Sequence, residues 1–392
     1  MKITSSAGNL EELELLHKNG VDEVLLGLKD LSRFGKLDLT TLYSMAKKAK
    51  ELKIRPILEW DILMINDRLH QAVHLLEKID LSLFAAIRVQ DSGALAVVKK
   101  LNPPMPIQYI LETGNHNLEG VKRWCETAGK NLERVVLSNE LTAQTLASYI
   151  QNVNVPVEVL GLGPILLFYT PRLLLSFQNL PPNRFEKVIA NSEEGFHKGF
   201  RLLENEHGTF MFHSKDYCLI DRLDRLVEMK LDTLRIDLRM NPSWTELSEV
   251  AALVKSANEG CFSVETADLL IQKYPQKVTR CFFQANATDV LFKKLSNENI
   301  VRNDEQFVGE VVEVSKDKYI LIHIQSNKTT LKKDGIYLFT TPEGKVKSVT
   351  ITRLTDLDRK EITEAVKNDF VIIPYQKSIT PKTMVYQNPQ AE

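Results

Sequence analysis

The stretch KITSSAGNLEELELLHKNGVDEVLLG, residues 2–27, contains one complete strand–helix–strand repeat. Its two ends are short and rich in β-branched and aliphatic residues. Between them, Leu10, Leu13 and Leu16 recur at the spacing of one helix face, and Gly20 can end that helix. The stretch therefore predicts two strands joined by a helix, the unit from which parallel sheets are built.

The same alternation continues along the chain. Further runs of strand character begin at residues 54, 85, 106, 134, 157 and 233, with helical patterns between them. Together with the first two, they predict eight strands that alternate with helices. This order favours a TIM-like (β/α) barrel over an open doubly wound sheet.

The pattern changes after residue 275, where six short alternating runs are separated by turn signals such as KKDG and TPEGK. These runs predict a small antiparallel β-barrel of about 80 residues. We therefore expect a (β/α) barrel domain over 1–290 with a long insertion around 177–207, a linker over 291–304, and a C-terminal β-barrel domain over 305–388. The insertion is long enough to be a lid or an interface.

Composition limits the partners. The formal net charge is −1 and the pI is about 6.7, so no general excess of positive charge indicates DNA or a membrane surface as partner. The N-terminal segment lacks a signal-peptide core and no segment is long enough to span a bilayer, which predicts a cytoplasmic protein. Four widely spaced cysteines are expected to be free thiols.

Polar residues at the predicted strand ends are the candidate site residues, because the chemistry of such barrels gathers where βα loops begin. They are Ser5, Ser6, Asn9, Glu59, Asp61, Asp91, Glu112, Asn139, Glu140, Asp237 and Arg239. The alternative for each is a helix cap or a loop hydrogen bond. That alternative is favoured for Asn9 and Asp91, where a helix is predicted to begin next.

Several blocks occur in a characteristic order: SSAGNLEELELLHKNGVDEVLLG from residue 5, RVQDSG from 88, RVVLSNELT from 134, and HSKDYCLIDRLDRLVEMKLDTLRIDLRM from 213. Together they resemble the collagenase-like peptidase family U32 over roughly residues 1–290. The resemblance implies a family iron–sulfur cluster that serves oxygen-independent hydroxylation in RNA- and quinone-modifying members. The family name implies peptidase activity.

This sequence departs from the family at the cysteines. In GLGPILLFYTPRLLLS, residues 161–176, Gly163 and RLLLS resemble the family pattern, but Leu166 and Leu173 stand where it has cysteines. The third cysteine is also missing, and Cys218 alone keeps the fourth position. A four-iron cluster needs about four thiolate ligands, so we expect no iron–sulfur cluster and no other cofactor. Leu166 and Leu173 are expected to pack together into the vacated space.

By resemblance, the chain retains the family's charged residues at Arg172, Lys215, Asp216, Asp237 and Arg239. If Arg172, Lys215 and Arg239 converge, they would suit a carboxylate or a phosphate; the alternative is ion pairs that hold loops over the barrel. The ligand-binding candidates are Asn9, Glu140, Arg172, Lys215 and Arg239. The catalytic candidates are Lys215, Asp216, Asp237 and Glu59.

Two further patterns have simpler alternatives. His70, His74 and Glu77 share one side of a predicted helix at a spacing compatible with a metal site, but they flank its apolar stripe and belong to an outer helix. Ser6 or Ser214 with Lys215 is the candidate nucleophile pair, although the chain has no HExxH or GxSxG motif.

Three functions follow. The first is a cluster-free accessory or partner subunit of a hydroxylation or modification system, which binds an anionic small molecule or RNA and pairs with a family paralogue or itself. The second is a hydrolase. The third is an RNA-modifying enzyme whose C-terminal barrel binds RNA through Lys328, Lys332, Lys333, Lys345, Lys347, Arg353, Tyr319, Tyr337 and Phe339. Nearby Asp334, Asp356 and Asp358 favour a solvated surface instead.

Overall fold

The computed structural model describes residues 1–113, 115–175, 186–191, 198–240, 247–284, 305–342 and 344–388. The chain divides into two compact units, Met1–Ala285 and Asn286–Glu392. The predicted linker and parts of the predicted insertion lie outside the described residues. No helix within the described ranges is long and apolar enough to cross a membrane.

Eight parallel strands form the first unit's barrel. They are β1 (Lys2–Ser6), β2 (Glu23–Gly27), β3 (Arg55–Trp60), β4 (Ala86–Val89), β5 (Ile107–Ile110), β6 (Leu132–Val136), β7 (Val157–Thr170) and β11 (Thr233–Ile236), with β8–β10 lying between β7 and β11 in the chain. Strand β11 pairs with both β1 and β7, which closes the sheet. The predicted TIM-like barrel is confirmed, and the eight runs identified in the sequence are its eight strands.

Helices cover the outside of the barrel. They are α1 (Leu10–Lys18), α2 (Leu39–Glu51), α3 (Asn66–Leu76), α4 (Ser92–Leu101), α5 (Leu118–Ala128), α6 (Ala143–Asn152), α7 (Leu223–Glu228), α8 (Leu247–Asn258) and α9 (Val264–Gln272). Their inward faces are apolar, as at Leu13 and Leu16 of α1, which are buried. The Asn9 side chain accepts a hydrogen bond from the Glu12 backbone N–H at 2.8 Å, so α1 begins with a side-chain cap.

Strand β7 continues beyond the barrel and carries an antiparallel meander of β8 (Glu186–Asn191), β9 (Lys198–Asn205) and β10 (Gly208–Cys218); the short β12 (Val278–Thr279) pairs with β10. Leu203, Phe210 and Phe212 form an apolar cluster on this meander, and Leu166 is half-buried against it. Leu173 follows the end of β7 and is 37% exposed. The expectation that Leu166 and Leu173 pack together is therefore wrong, because the chain leaves the strand between them.

The second unit is an antiparallel half-barrel. Its strands are β13 (Phe307–Ser315), β14 (Tyr319–Ile324), β15 (Leu331–Lys332), β16 (Ile336–Thr340), β17 (Val346–Thr350), β18 (Glu364–Ala365), β19 (Phe370–Pro374) and β20 (Met384–Gln387). Six of them form a sheet with the order β17-β16-β20-β13-β14-β19, and β15 pairs with β18 in a two-stranded sheet. Alternate residues such as Ile320, Ile322 and Ile324 enter a separate apolar core.

Candidate functional site: the charged mouth of the barrel

A layer of paired charges fills the part of the barrel interior that lies away from the βα loops. Arg134 of β6 donates to Glu23 of β2 at 2.7 Å, and Arg88 of β4 donates to Glu158 of β7 at 2.9 Å. All four side chains are almost completely excluded from solvent. Burial alone would raise the pKa of Glu23, but the hydrogen bond and charge of Arg134, with the charge of Arg55, lower it to about 2. This layer lies away from the loops that form barrel active sites, which indicates a structural role.

A second set of charged residues lies at the carboxyl ends of the strands. Arg239 faces Asp237, which directly follows β11, and donates to its two carboxylate oxygens at 3.0 and 2.6 Å. A third guanidinium nitrogen of Arg239 lies 3.2 Å from Glu59 near the end of β3. One arginine therefore joins the ends of β11 and β3, which are separated in the barrel by β1 and β2.

The remaining mouth residues form a similar chain of ion pairs. The Arg33 guanidinium donates to Asp61 at 2.7 Å, and the Arg33 backbone N–H donates to the other oxygen of the same carboxylate at 2.7 Å. Glu112 contacts Arg235 of β11 and lies 3.9 Å from Arg33. Each of the three mouth arginines thus contacts at least one carboxylate.

The mouth carboxyl groups differ in their proton affinity. Burial alone would raise the pKa of Asp237, but the charge and hydrogen bonds of Arg239 hold it well below the usual range. Burial and the neighbouring charge of Asp61 raise the pKa of Glu59, although Arg239 and a hydrogen bond from Ser32 act in the opposite direction. Glu59 is therefore the group at this mouth best suited to carry a proton.

Two adjoining pockets open at the mouth. Ser6, Lys36, Glu59 and Arg239 line one of them, together with the apolar Phe34 and leucines of α1. Arg33, Glu112, Asn139, Arg235 and Asp237 line the other. Strand ends and the loops that follow them thus position most of the ionisable groups that a small ligand would meet, and α1 adds Glu12.

The structure does not bring Arg172 and Lys215 together with Arg239. The Arg172 carbonyl accepts from Thr209 at 2.9 Å, near the start of β10, whereas Lys215 is six residues further along that strand. At the rise of an extended strand the two positions are roughly 20 Å apart. Both residues are exposed. Arg239 is already paired with Asp237 and Glu59, so the mouth contains ion pairs, as the alternative interpretation expected.

The other predicted site residues are placed as follows. Asp216 is completely buried and accepts a hydrogen bond from the Tyr274 hydroxyl at 2.8 Å, which fits a structural role. Glu140 lies 2.8 Å from His116 in a partly exposed pair. Asn9 and Asp91 cap helices, as the simpler alternative predicted. Lys215 does not line the pocket that contains Ser6.

Sequence reasoning overlooked Arg33 and Arg235 as mouth residues. A usable signal was nevertheless present, because Arg88, Arg134 and Arg235 lie within short strands. Parallel strands covered by helices normally read as nearly continuous apolar runs. A charged residue inside such a run therefore indicates a side chain that points into the barrel and needs a buried partner.

By resemblance, Leu166 and Leu173 stand at two cysteine positions of the family, and neither side chain offers a donor atom to an iron–sulfur cluster. Burial raises the pKa of the Cys218 thiol to about 12. His70, His74 and Glu77 lie on exposed positions of α3 and the residue after it. In the part of the chain that the structure describes, no group of three or more His, Cys, Asp or Glu residues could hold a metal ion.

Residues 8–299 match the family model of peptidase family U32. The chain belongs to this family. It is 22% identical to tRNA hydroxylation protein P1 of Bacillus subtilis (strain 168) over 98% of this chain and 94% of that protein. It is also 22% identical to tRNA hydroxylation protein P2 of the same strain, over 63% of this chain and 80% of that protein.

Among solved structures, the U32 peptidase Mk0906 is similar, with 11% identity and a TM-score of 0.38, over 60% of this chain and 92% of that one. The family match, over residues 8–299, covers most of the barrel unit. The match to protein P1 also extends across the C-terminal half-barrel, because it covers almost the whole chain.

Proposed function

We propose that this U32 protein takes part in tRNA modification as a cluster-free partner subunit of a tRNA hydroxylation system. The observation that carries the proposal is the match to tRNA hydroxylation protein P1 along 98% of the chain. That match covers both structural units, so the similarity is not confined to the barrel.

The cluster-free part of the proposal rests on chemistry at three positions. Leu166 and Leu173 occupy positions that resemble family cysteines, and Cys218 is a buried thiol. A redox step would then belong to a second protein, and the relatives named P1 and P2 in one organism are consistent with paired action. In this arrangement the present chain binds and positions the tRNA.

The charged mouth fits a protein that positions tRNA better than it fits a protein that binds a small anion. Arg33, Arg235 and Arg239 already contact carboxylates, so an anion would have to displace one of them at an electrostatic cost. Among the described residues, no contact favours the hydrolase alternative.

Deletion of the gene tests the function. Total tRNA from the deletion strain is digested, and hydroxylated nucleosides are quantified by mass spectrometry. We expect them to fall and to return when the wild-type gene is supplied. Complementation with Cys218→Ser should be equally effective, because the thiol is not a ligand in this proposal. Unchanged hydroxylation in the deletion strain would refute the proposed function.

The absence of a cluster is tested separately. Protein purified anaerobically is assayed for iron and acid-labile sulfide, and its visible absorbance is recorded. We expect substoichiometric iron and no charge-transfer absorbance. Iron near four atoms per chain, the content of one [4Fe–4S] cluster, would contradict the cluster-free proposal while leaving the role in tRNA modification intact.

A further inference from the structure

A pocket on the C-terminal half-barrel differs in charge from the barrel mouth. Its floor is the β14–β19 pair, where Tyr319 lies opposite Pro374. Lys318, Arg353 and Arg359 line its sides, and none of its lining residues in the described part of the chain is a carboxylate. The barrel mouth matches its arginines with acidic groups, so this second pocket is the better site for a polyanion.

Backbone hydrogen bonds hold one wall of the pocket in place. Thr355 exchanges two backbone hydrogen bonds with Ile372 of β19, at 3.0 and 2.8 Å. The turn that follows is closed by the Asp356 carboxylate, which accepts from the Lys360 N–H at 2.9 Å. Arg359 adopts a φ of +63° within this turn. The Asp356 carboxylate is thus used within the turn, whose two central residues are Leu357 and Asp358, and Arg359 follows them into the pocket lining.

Two other basic residues of this unit have acidic neighbours of their own. Lys332 lies 3.5 Å from Glu364, and Lys333 lies 3.4 Å from Glu361. The sequence also suggested Tyr337 and Phe339 as base-stacking residues, which is wrong, because both are buried in the half-barrel core. Their strand positions point inward. Tyr319 is partly exposed instead, and its hydroxyl donates to Glu313 at 2.7 Å.

Arg353 has one acidic neighbour, Glu361 at 3.2 Å, but both side chains are more than half exposed. Exposed pairs of this kind contribute little free energy and are screened by salt. A phosphate can therefore replace Glu361 as the partner of the Arg353 guanidinium at a low cost in free energy. The buried ion pairs of the barrel mouth resist such a replacement.

We propose that this pocket binds the sugar–phosphate backbone of RNA, with the Tyr319 ring as the contact for one base. Three cations within one pocket suit consecutive phosphates, and an aromatic ring beside them suits stacking on an unpaired base. The inference rests on the proposed role in tRNA modification. It adds the place on this chain where RNA would bind, and it explains how a chain with a net charge of −1 could bind a polyanion.

Paired charge reversals test the site. The double variant Lys318→Glu/Arg359→Glu is compared with Lys367→Glu/Lys382→Glu, which makes the same change in net charge at exposed positions outside the pocket. Binding of the full-length protein to fluorescent tRNA is measured by anisotropy at several salt concentrations. We expect the pocket variant to lose at least about tenfold in affinity and about two units of the salt slope, and the control to lose under about twofold.

The aromatic contact has its own control. Tyr319→Leu should weaken binding by roughly fivefold or more without changing the salt slope, while Tyr319→Phe keeps the ring and should bind as the wild type does. Equal losses in the two double variants would overturn the proposal, as would unchanged binding in the pocket variant or no tRNA binding by the wild type. If hydroxylation is lost on gene deletion but the pocket variant binds tRNA normally, only the pocket inference fails.

Discussion

Replacing Glu23 with glutamine should destabilise the barrel unit substantially at neutral pH. The Glu23 carboxylate is completely buried between Arg134 and Arg55, and these arginines lower its pKa from 4.5 to about 2. A difference of about 2.5 pKa units corresponds to roughly 3 kcal/mol of stability. Breaking a buried ion pair from one side costs about 3–5 kcal/mol in general, which is of the same size.

The pH dependence has a defined direction. Because the folded-state pKa is lowered, the contribution of Glu23 is fully present above the unfolded pKa of 4.5 and is lost as the pH falls towards about 2. At pH 3.5 it should therefore have declined from roughly 3 to about 2 kcal/mol. Glu23→Gln has no titrating carboxyl at this position, so its deficit relative to the wild type should shrink by the same amount.

Urea unfolding followed by tryptophan fluorescence measures this effect in the barrel unit alone. All three tryptophans, Trp60, Trp124 and Trp244, precede residue 285, so the C-terminal unit does not contribute to the signal. Glu249→Gln is the matched control, because Glu249 forms an exposed pair with Lys273 and should show no measurable change. A Glu23→Gln deficit below about 1 kcal/mol, or one that is the same at both pH values, would refute the reasoning.

Three further outcomes are expected. Cys218 should resist alkylation in the folded protein while the exposed Cys261 reacts, because burial raises the Cys218 pKa to about 12. Peptide mass spectrometry shows which thiol is modified, and early labelling of Cys218 would contradict its burial. Gly161→Ala should lower the free energy of unfolding by about 1–3 kcal/mol, since the new Cβ would lie 2.4 Å from Leu234, and an unchanged urea midpoint would count against this packing. Asn9→Ala should cost about 1 kcal/mol by removing the cap of α1, whereas Asn9→Ser should restore most of it. If Asn9→Ser also abolished tRNA hydroxylation without loss of stability, Asn9 would have a ligand role instead.

Local patterns were enough to predict most of the architecture. The spacing of Leu10, Leu13 and Leu16 specifies a helix face, and Asn9 and Asp91 each cap the helix that follows. Eight such repeats favour a barrel over an open sheet, and the pairing of β11 with both β1 and β7 shows that the sheet closes. The alternating runs after residue 305 likewise indicate an antiparallel sheet.

The charged mouth was only partly predictable. Glu59, Asp237 and Arg239 were found because they stand at strand ends, but their pairing could not be read from the chain, since Arg239 and Glu59 are 180 residues apart. Arg172 and Lys215 were grouped with these mouth residues by resemblance. In the structure, Arg172 and Lys215 are separated from each other by most of the length of β10.

The sequence by itself determined the repeat of strands and helices, the helix caps and the absence of a thiolate donor at Leu166 and Leu173, because these depend on residue type and on neighbours a few positions away. Tertiary structure alone decided which charges meet, that Leu166 is half-buried while Leu173 is exposed, and that Tyr319 rather than Tyr337 lines a basic pocket. These features depend on contacts between distant segments, and only the closed barrel and the curled half-barrel bring those segments together.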